Sequence, residues 1–92
     1  MSSKKVTKFD LVESVYNNVN CEKKVVQSVV DTLLVQIKES LKGGSTIELR
    51  GFGTFCIVDV PERRSNLGML VPERHVVKFR PAEALRRLCG KL

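Results

Sequence analysis

The sequence predicts an α+β fold. Two helices in a helix–turn–helix base precede a three-stranded antiparallel sheet, which carries a protruding β-hairpin arm, and a short helix ends the chain. Three observations predict it. Apolar residues recur at helical spacing up to Leu41 and alternate at strand spacing from Ile47 onward. Glycine pairs and prolines stand at the joints between these patterns. At 92 residues, the length suits one domain spanning 1–92.

The lead, 1–6, is polar and basic and reads as flexible. It runs into no apolar secretory region, so no signal peptide is expected. Thr7 is a candidate N-cap, with Asp10 three residues on. Phe9, Leu11, Val12, Val15, Tyr16 and Val19 then follow a helical period, and Asn17, Asn18 and Asn20 close that helix. A second helix runs from Glu22 to Leu41, with Gly43-Gly44 as its stop. The helical base is thus 7–42.

Val25/Val26, Val29/Val30 and Leu33/Leu34 are adjacent apolar pairs. A surface helix normally shows one apolar stripe about 100° wide. Paired positions over three turns widen the stripe beyond what one small sheet covers. The second helix therefore buries two surfaces, one of them against another subunit, with Val30 and Leu34 expected in the dimer core.

The sheet and arm occupy 45–79. Ser45–Arg50 alternates as a half-buried strand, with Ile47 and Leu49 inward. Gly51-Phe52-Gly53-Thr54-Phe55 allows a tight turn and supplies large core groups. Cys56–Val60 reads as the next strand and His75–Phe79 as the returning one. Between them Asn66-Leu67-Gly68 marks a hairpin turn. Residues 81–89 form the last helix, with Pro81 at its first position and Gly90 as its stop.

Composition narrows function. The chain carries 16 Lys+Arg against 10 Asp+Glu, a formal charge of +6, which favours a polyanionic partner, most simply nucleic acid. No apolar run approaches the roughly 18 residues of a membrane span. Cys21, Cys56 and Cys89 are odd in number and widely spaced, and His75 is the sole histidine. This set offers no metal site, and no cofactor is expected. It reads as three reduced thiols in a cytoplasmic protein, two of them packed as small hydrophobes. No catalytic motif occurs, and Gly51-x-Gly53 lacks the third glycine of a nucleotide fingerprint, so an enzyme is not expected. A chain this small needs disulfides, a metal or a partner subunit to complete its core. Oligomerisation is what remains.

Thr7-Lys8-Phe9-Asp10-Leu11, Glu39-Ser40-Leu41-Lys42-x-Gly44 and Gly51-Phe52-Gly53-Thr54-Phe55, with Phe79-Arg80-Pro81 before Ala84-Leu85, resemble the bacterial histone-like HU and integration host factor family over nearly the whole chain. The resemblance implies an intertwined dimer in which a saddle of strands stands over a helical base. It implies two arms that enter the DNA minor groove and kink the duplex by wedging a proline between base pairs. Wedging of this kind is known for minor-groove architectural proteins, this family among them. The implied function is low-specificity, nucleoid-associated binding of double-stranded DNA through its phosphates. Lys8, Lys23, Lys24, Arg63, Arg80, Arg86 and Arg87 fall on basic positions of the family, and Arg50, Arg64, Arg74 and Lys78 complete the candidate DNA-binding set. Phe52, Phe55 and Phe79 match its aromatic dimer core.

The departures fall mainly in the arm. Cys56 and Val60 stand where the family has basic residues, and Glu83 replaces a lysine. The proline-bearing tip motif is absent, which leaves Leu67 as the candidate wedge. The arm is about five residues shorter, a loss of roughly 8 Å of reach. Asp59–Arg74 holds three arginines and three carboxylates and sums to zero. Residues 1–24 carry +2 and 75–92 carry +4, so the charge of a +12 dimer lies off the arms. Two outcomes compete: Leu67 wedges, or the arm falls short and the saddle and flanks bind alone. The alternatives of another kind are a dimeric interaction protein with weakened DNA binding, a binder of RNA or kinked DNA, and a heterodimer with a homologue.

Overall fold

The computed structural model describes residues 4–90. Met1–Ser3 of the basic lead and Lys91 lie outside the described residues. The chain divides into two compact units, Met1–Gln36 and Ile37–Leu92.

In the first unit, α1 spans Lys8–Asn18. It opens on the expected capping box: the Thr7 hydroxyl accepts from the Asp10 N–H at 3.3 Å, and the Asp10 carboxylate accepts from the Thr7 N–H at 3.0 Å. Asn17 and Asn18 lie inside the helix rather than in the loop. The Asn18 amide donates to the Ser14 carbonyl at 2.7 Å, which satisfies a carbonyl of the last turn and extends the helix to this residue.

Helix α2 spans Lys23–Lys42. It ends in a Schellman motif: the Gly44 N–H donates to the Leu41 carbonyl and the Ser45 N–H to the Ser40 carbonyl. Gly44 has φ +85°, the conformation this motif requires. Along α2 the adjacent pairs split. Val26 is 4% exposed against 46% for Val25, and Val30 is half-buried against 61% for Val29. Leu34 remains 39% exposed, less than Leu33 at 55%. Val26 and Val30 pack within the chain while the row beside them is open, so the apolar stripe is wider than one chain covers. The most open apolar surface therefore lies on Val25, Val29 and Leu33, beside Val30 and Leu34.

In the second unit, β1 (Ile47–Leu49), β2 (Gly53–Val60) and β5 (Arg74–Pro81) form an antiparallel sheet in the order β1-β2-β5. Strand β1 is shorter than predicted because Ser45 caps α2 and Arg50 enters a turn. That turn has a Phe52 N–H to Leu49 carbonyl bond of 2.9 Å and Gly51 at φ +80°, the signature of a type II turn. Leu49 is 36% exposed rather than inward. Strand β2 starts at Gly53, three residues earlier than predicted. A Cβ there would lie 2.6 Å from the Phe79 ring and 2.7 Å from the Arg80 carbonyl, so this position demands glycine.

Pro81 ends β5 opposite Gly53 instead of opening the last helix. The Ala82 N–H donates to the Phe52 carbonyl at 2.8 Å, which keeps the backbone extended through Ala82. Helix α3 therefore spans Glu83–Cys89. Gly90 ends it in a right-handed conformation, φ −67°, so no left-handed cap is used.

The arm is β3 (Arg63–Arg64) paired with β4 (Leu70–Val71). Its register continues that of β2 and β5, but the ladder is broken between them. In the break Pro61 and Glu62 run opposite Glu73 and Pro72, and prolines donate no ladder bond. All three thiols are free. Only Cys56 is half-buried; Cys21 and Cys89 are exposed, so the expected second packed cysteine is not found within one chain.

Candidate nucleic-acid interface

Strand alternation sorts the sheet into two chemically different faces. Directly opposed residues of an antiparallel pair share a face, and neighbours along a strand alternate. One face takes Phe55 and Phe79, Ile57 and Val77, with Ile47 from β1. The Phe79 ring lies 4.7 Å from that of Phe55 and 5.5 Å from that of Phe52. Phe52 is still 46% exposed and Val77 59%, so this apolar face is unfinished in one chain.

The opposite face takes Arg80 beside Thr54, Lys78 beside Cys56, Val76 beside Val58 and Arg74 beside Val60. Arg74, Lys78 and Arg80 are exposed, and among the described residues none of them makes an ion pair. Arg50 flanks the same region: it lines an open concavity with Thr54 and Arg80. Glu48, outward in the strand alternation, also lines it, directly opposite Thr54, and is a negative group on this face. Helix α3 adds Arg86 and Arg87, with Arg87 held 3.6 Å from Glu83.

The helical lysines are differently placed. Lys8 Nζ lies 2.6 Å from Asp31 Oδ1. Lys23 pairs with Glu13 and sits 5.7 Å from the Phe9 ring centroid and 6.0 Å from that of Tyr16. Both are engaged within their own unit. Lys24 is exposed and makes no such pair among the described residues.

At the arm tip the Ser65 N–H donates to the Met69 carbonyl, and the Gly68 N–H to the Ser65 carbonyl. Gly68 has φ +80°, so the tip is a three-residue loop with a bulge. The Ser65 hydroxyl accepts from the N–H groups of Leu67 and Met69. Ser65 thus organises this loop without belonging to the candidate set, although serine at the first position of a turn is the available signal. Leu67 stands at the apex, 87% exposed. Arg64 reaches back to the Gly68 carbonyl at 3.4 Å, while Arg63 stays exposed.

Residues 6–89 match the family model described as bacterial DNA-binding protein. The chain belongs to this family. It is 37% identical over 95 residues to the DNA-binding protein HU of Thermus thermophilus, covering 94% of this chain and 95% of that one. It is 35% identical over 89 residues to the integration host factor subunit alpha of an Anaeromyxobacter species, covering 88% and 87%. An HU–DNA cocrystal structure from Anabaena superposes with a TM-score of 0.80 at 25% identity, covering 94% of this chain and 99% of that one. The α+β fold read from the sequence is thus the HU fold. The family is dimeric. That accounts for a chain in which, among the described residues, Val12 and Val26 are the only buried hydrophobic side chains. No helix among the described residues is long and apolar enough to cross a membrane.

Proposed function

We propose that this protein is a DNA-binding architectural protein of the nucleoid, working as an intertwined homodimer in the bacterial cytoplasm. The observation that carries the reading is the basic row on β5. Arg74, Lys78 and Arg80 share one face of the sheet, opposite the aromatic core, and none is neutralised by an ion pair among the described residues. Two strand residues span about 6.7 Å. Successive phosphates of one DNA strand rise only roughly 3.4 Å along the axis, but the winding of the backbone carries them about twice as far apart through space, so the spacing matches successive phosphates. Lys78 and Arg80 are thus spaced for neighbouring phosphates of one strand. Arg50 extends the positive surface beside Arg80; α3 supplies Arg86, with Arg87 paired to Glu83, and Lys24 serves the helical flank.

The face has no array of paired donors and acceptors for reading base edges, so it supports low sequence specificity. Phe52, Phe55 and Phe79, with Val30 and Leu34, close the core between subunits. In the arm, Arg63 and Arg64 meet phosphates and Leu67 is the wedge. An exposed leucine at the apex of an ordered loop has the chemistry of the apolar side chains that unstack base steps in minor-groove proteins.

The test is binding to random-sequence duplex across a salt series. Released counterions make the log–log slope about 0.9 per phosphate contact. A slope of roughly 4 or more is expected for a dimer with two basic rows, by the same relation. A slope near zero would overturn the reading.

A further inference from the structure

The basic face of the sheet is lopsided. Its three cations all stand on β5, one of the two edge strands. The neighbouring β2 offers that face Thr54, Cys56, Val58 and Val60, without a charge. Val76 lies between Lys78 and Arg74 and directly opposite Val58. Cys56, Val58, Val60 and Val76 are half-buried, whereas the cations are exposed. The face is therefore a charged rim along β5 beside an apolar floor. Beyond the floor, β1 contributes Glu48 opposite Thr54, which repels a phosphate on that side.

We propose that this floor is a sugar-contacting surface that selects duplex DNA against duplex RNA. The inference rests on the DNA-binding function proposed for this chain and adds to it the class of nucleic acid that the face accepts. The charge pattern commits the occupant: one phosphate strand runs along the β5 rim, and the adjoining groove edge lies over Val58 and Val76. In DNA that edge presents deoxyribose C–H groups and no 2′-hydroxyl, which fits an apolar floor. In an RNA duplex the shallow minor groove presents 2′-hydroxyls instead. Valine side chains offer those hydroxyls no hydrogen-bond partner, and burying an unpartnered hydroxyl is costly. Discrimination thus arises at positions that read no base.

The experiment measures dissociation constants of the full chain for a DNA duplex and an RNA duplex of matched sequence, at one salt concentration. Wild type is expected to favour DNA by about tenfold, the effect of one poorly satisfied hydroxyl. V58T/V76T keeps β-branched side chains and supplies hydroxyl partners. It is expected to reduce that ratio about threefold or more, chiefly by tightening RNA binding. C56S gives a second, smaller change at the same floor, and thermal melts verify that both variants fold. Equal affinity of wild type for the two duplexes overturns the inference while leaving DNA binding intact. A DNA preference that neither variant alters also overturns it, because shape alone then discriminates. If wild type binds neither duplex, the DNA-binding reading itself fails.

Discussion

The helical lysines and the β5 cations have the same formal charge and very different availability. Lys8 and Lys23 are each committed to a carboxylate of their own unit, and Lys23 also lies near two aromatic rings. Arg74, Lys78 and Arg80 stand free among the described residues. A formal surplus of charge therefore misstates where a polyanion is held. What matters is which cations lack a partner and share a face. Such a face exists only while the sheet that displays it holds its register. Gly53→Ala would drive a Cβ into the Phe79 ring and the Arg80 carbonyl. Overpacking of this kind costs about 1–3 kcal/mol or more. For a domain this small, that lowers the melting temperature by roughly 5–20 °C. Calorimetry checks it, and an unchanged melt would show that the sheet edge yields.

Matched alanine variants test the division between committed and free cations. Lys78→Ala and Arg80→Ala should each weaken DNA binding several-fold and lower the salt slope by about 0.9 for every phosphate the dimer no longer neutralises. Lys23→Ala should leave the slope unchanged while lowering thermal stability, since that side chain pairs with Glu13 and lies near the Phe9 and Tyr16 rings. If Lys23→Ala flattened the slope as much as Lys78→Ala, the division would be wrong.

The arm tests a smaller effect. Leu67→Ala removes the apex side chain without changing charge. The expected result is a reduced bend angle, read by end-to-end fluorescence transfer in a bound duplex, with affinity changed less than threefold, about 0.6 kcal/mol. A wild-type complex that leaves the duplex straight would reject the wedge and assign binding to the sheet face alone.

Most of the fold was legible because its signals are local. The Thr7–Asp10 capping box, the Gly43-Gly44 stop and the Asn66-Leu67-Gly68 turn each follow from residues within one turn. The paired valines of α2 announced an apolar stripe wider than one chain covers, and Val25, Val29 and Leu33 are indeed left exposed. Limits set by contacts between distant residues were not legible. Pro81 has the look of a helix start, yet the Ala82–Phe52 bond holds it in the sheet. For the site, residue types were legible and partners were not. Asp31 stands 23 residues from Lys8, and no sequence period links them. The two-faced sheet depended on register, which a strand pattern implies but does not number.

That hidden partner yields the smallest prediction. The Lys8–Asp31 pair is about half-exposed on both sides. Exposed pairs of this kind contribute about 0–1 kcal/mol, so a phosphate can displace the carboxylate at little cost. Asp31→Asn removes the competitor and the like-charge repulsion toward DNA while keeping a neutral side chain of similar size. Affinity should rise about two- to fivefold at low salt, within the energy of the pair it replaces. The gain should fade near 0.5 M salt, where screening shortens the Debye length to roughly 4–5 Å. Lys8→Ala in the Asp31→Asn background should cancel it. A gain that survived the removal of Lys8 would show that Asp31 repels DNA directly, and Lys8 would then leave the set of phosphate-binding residues.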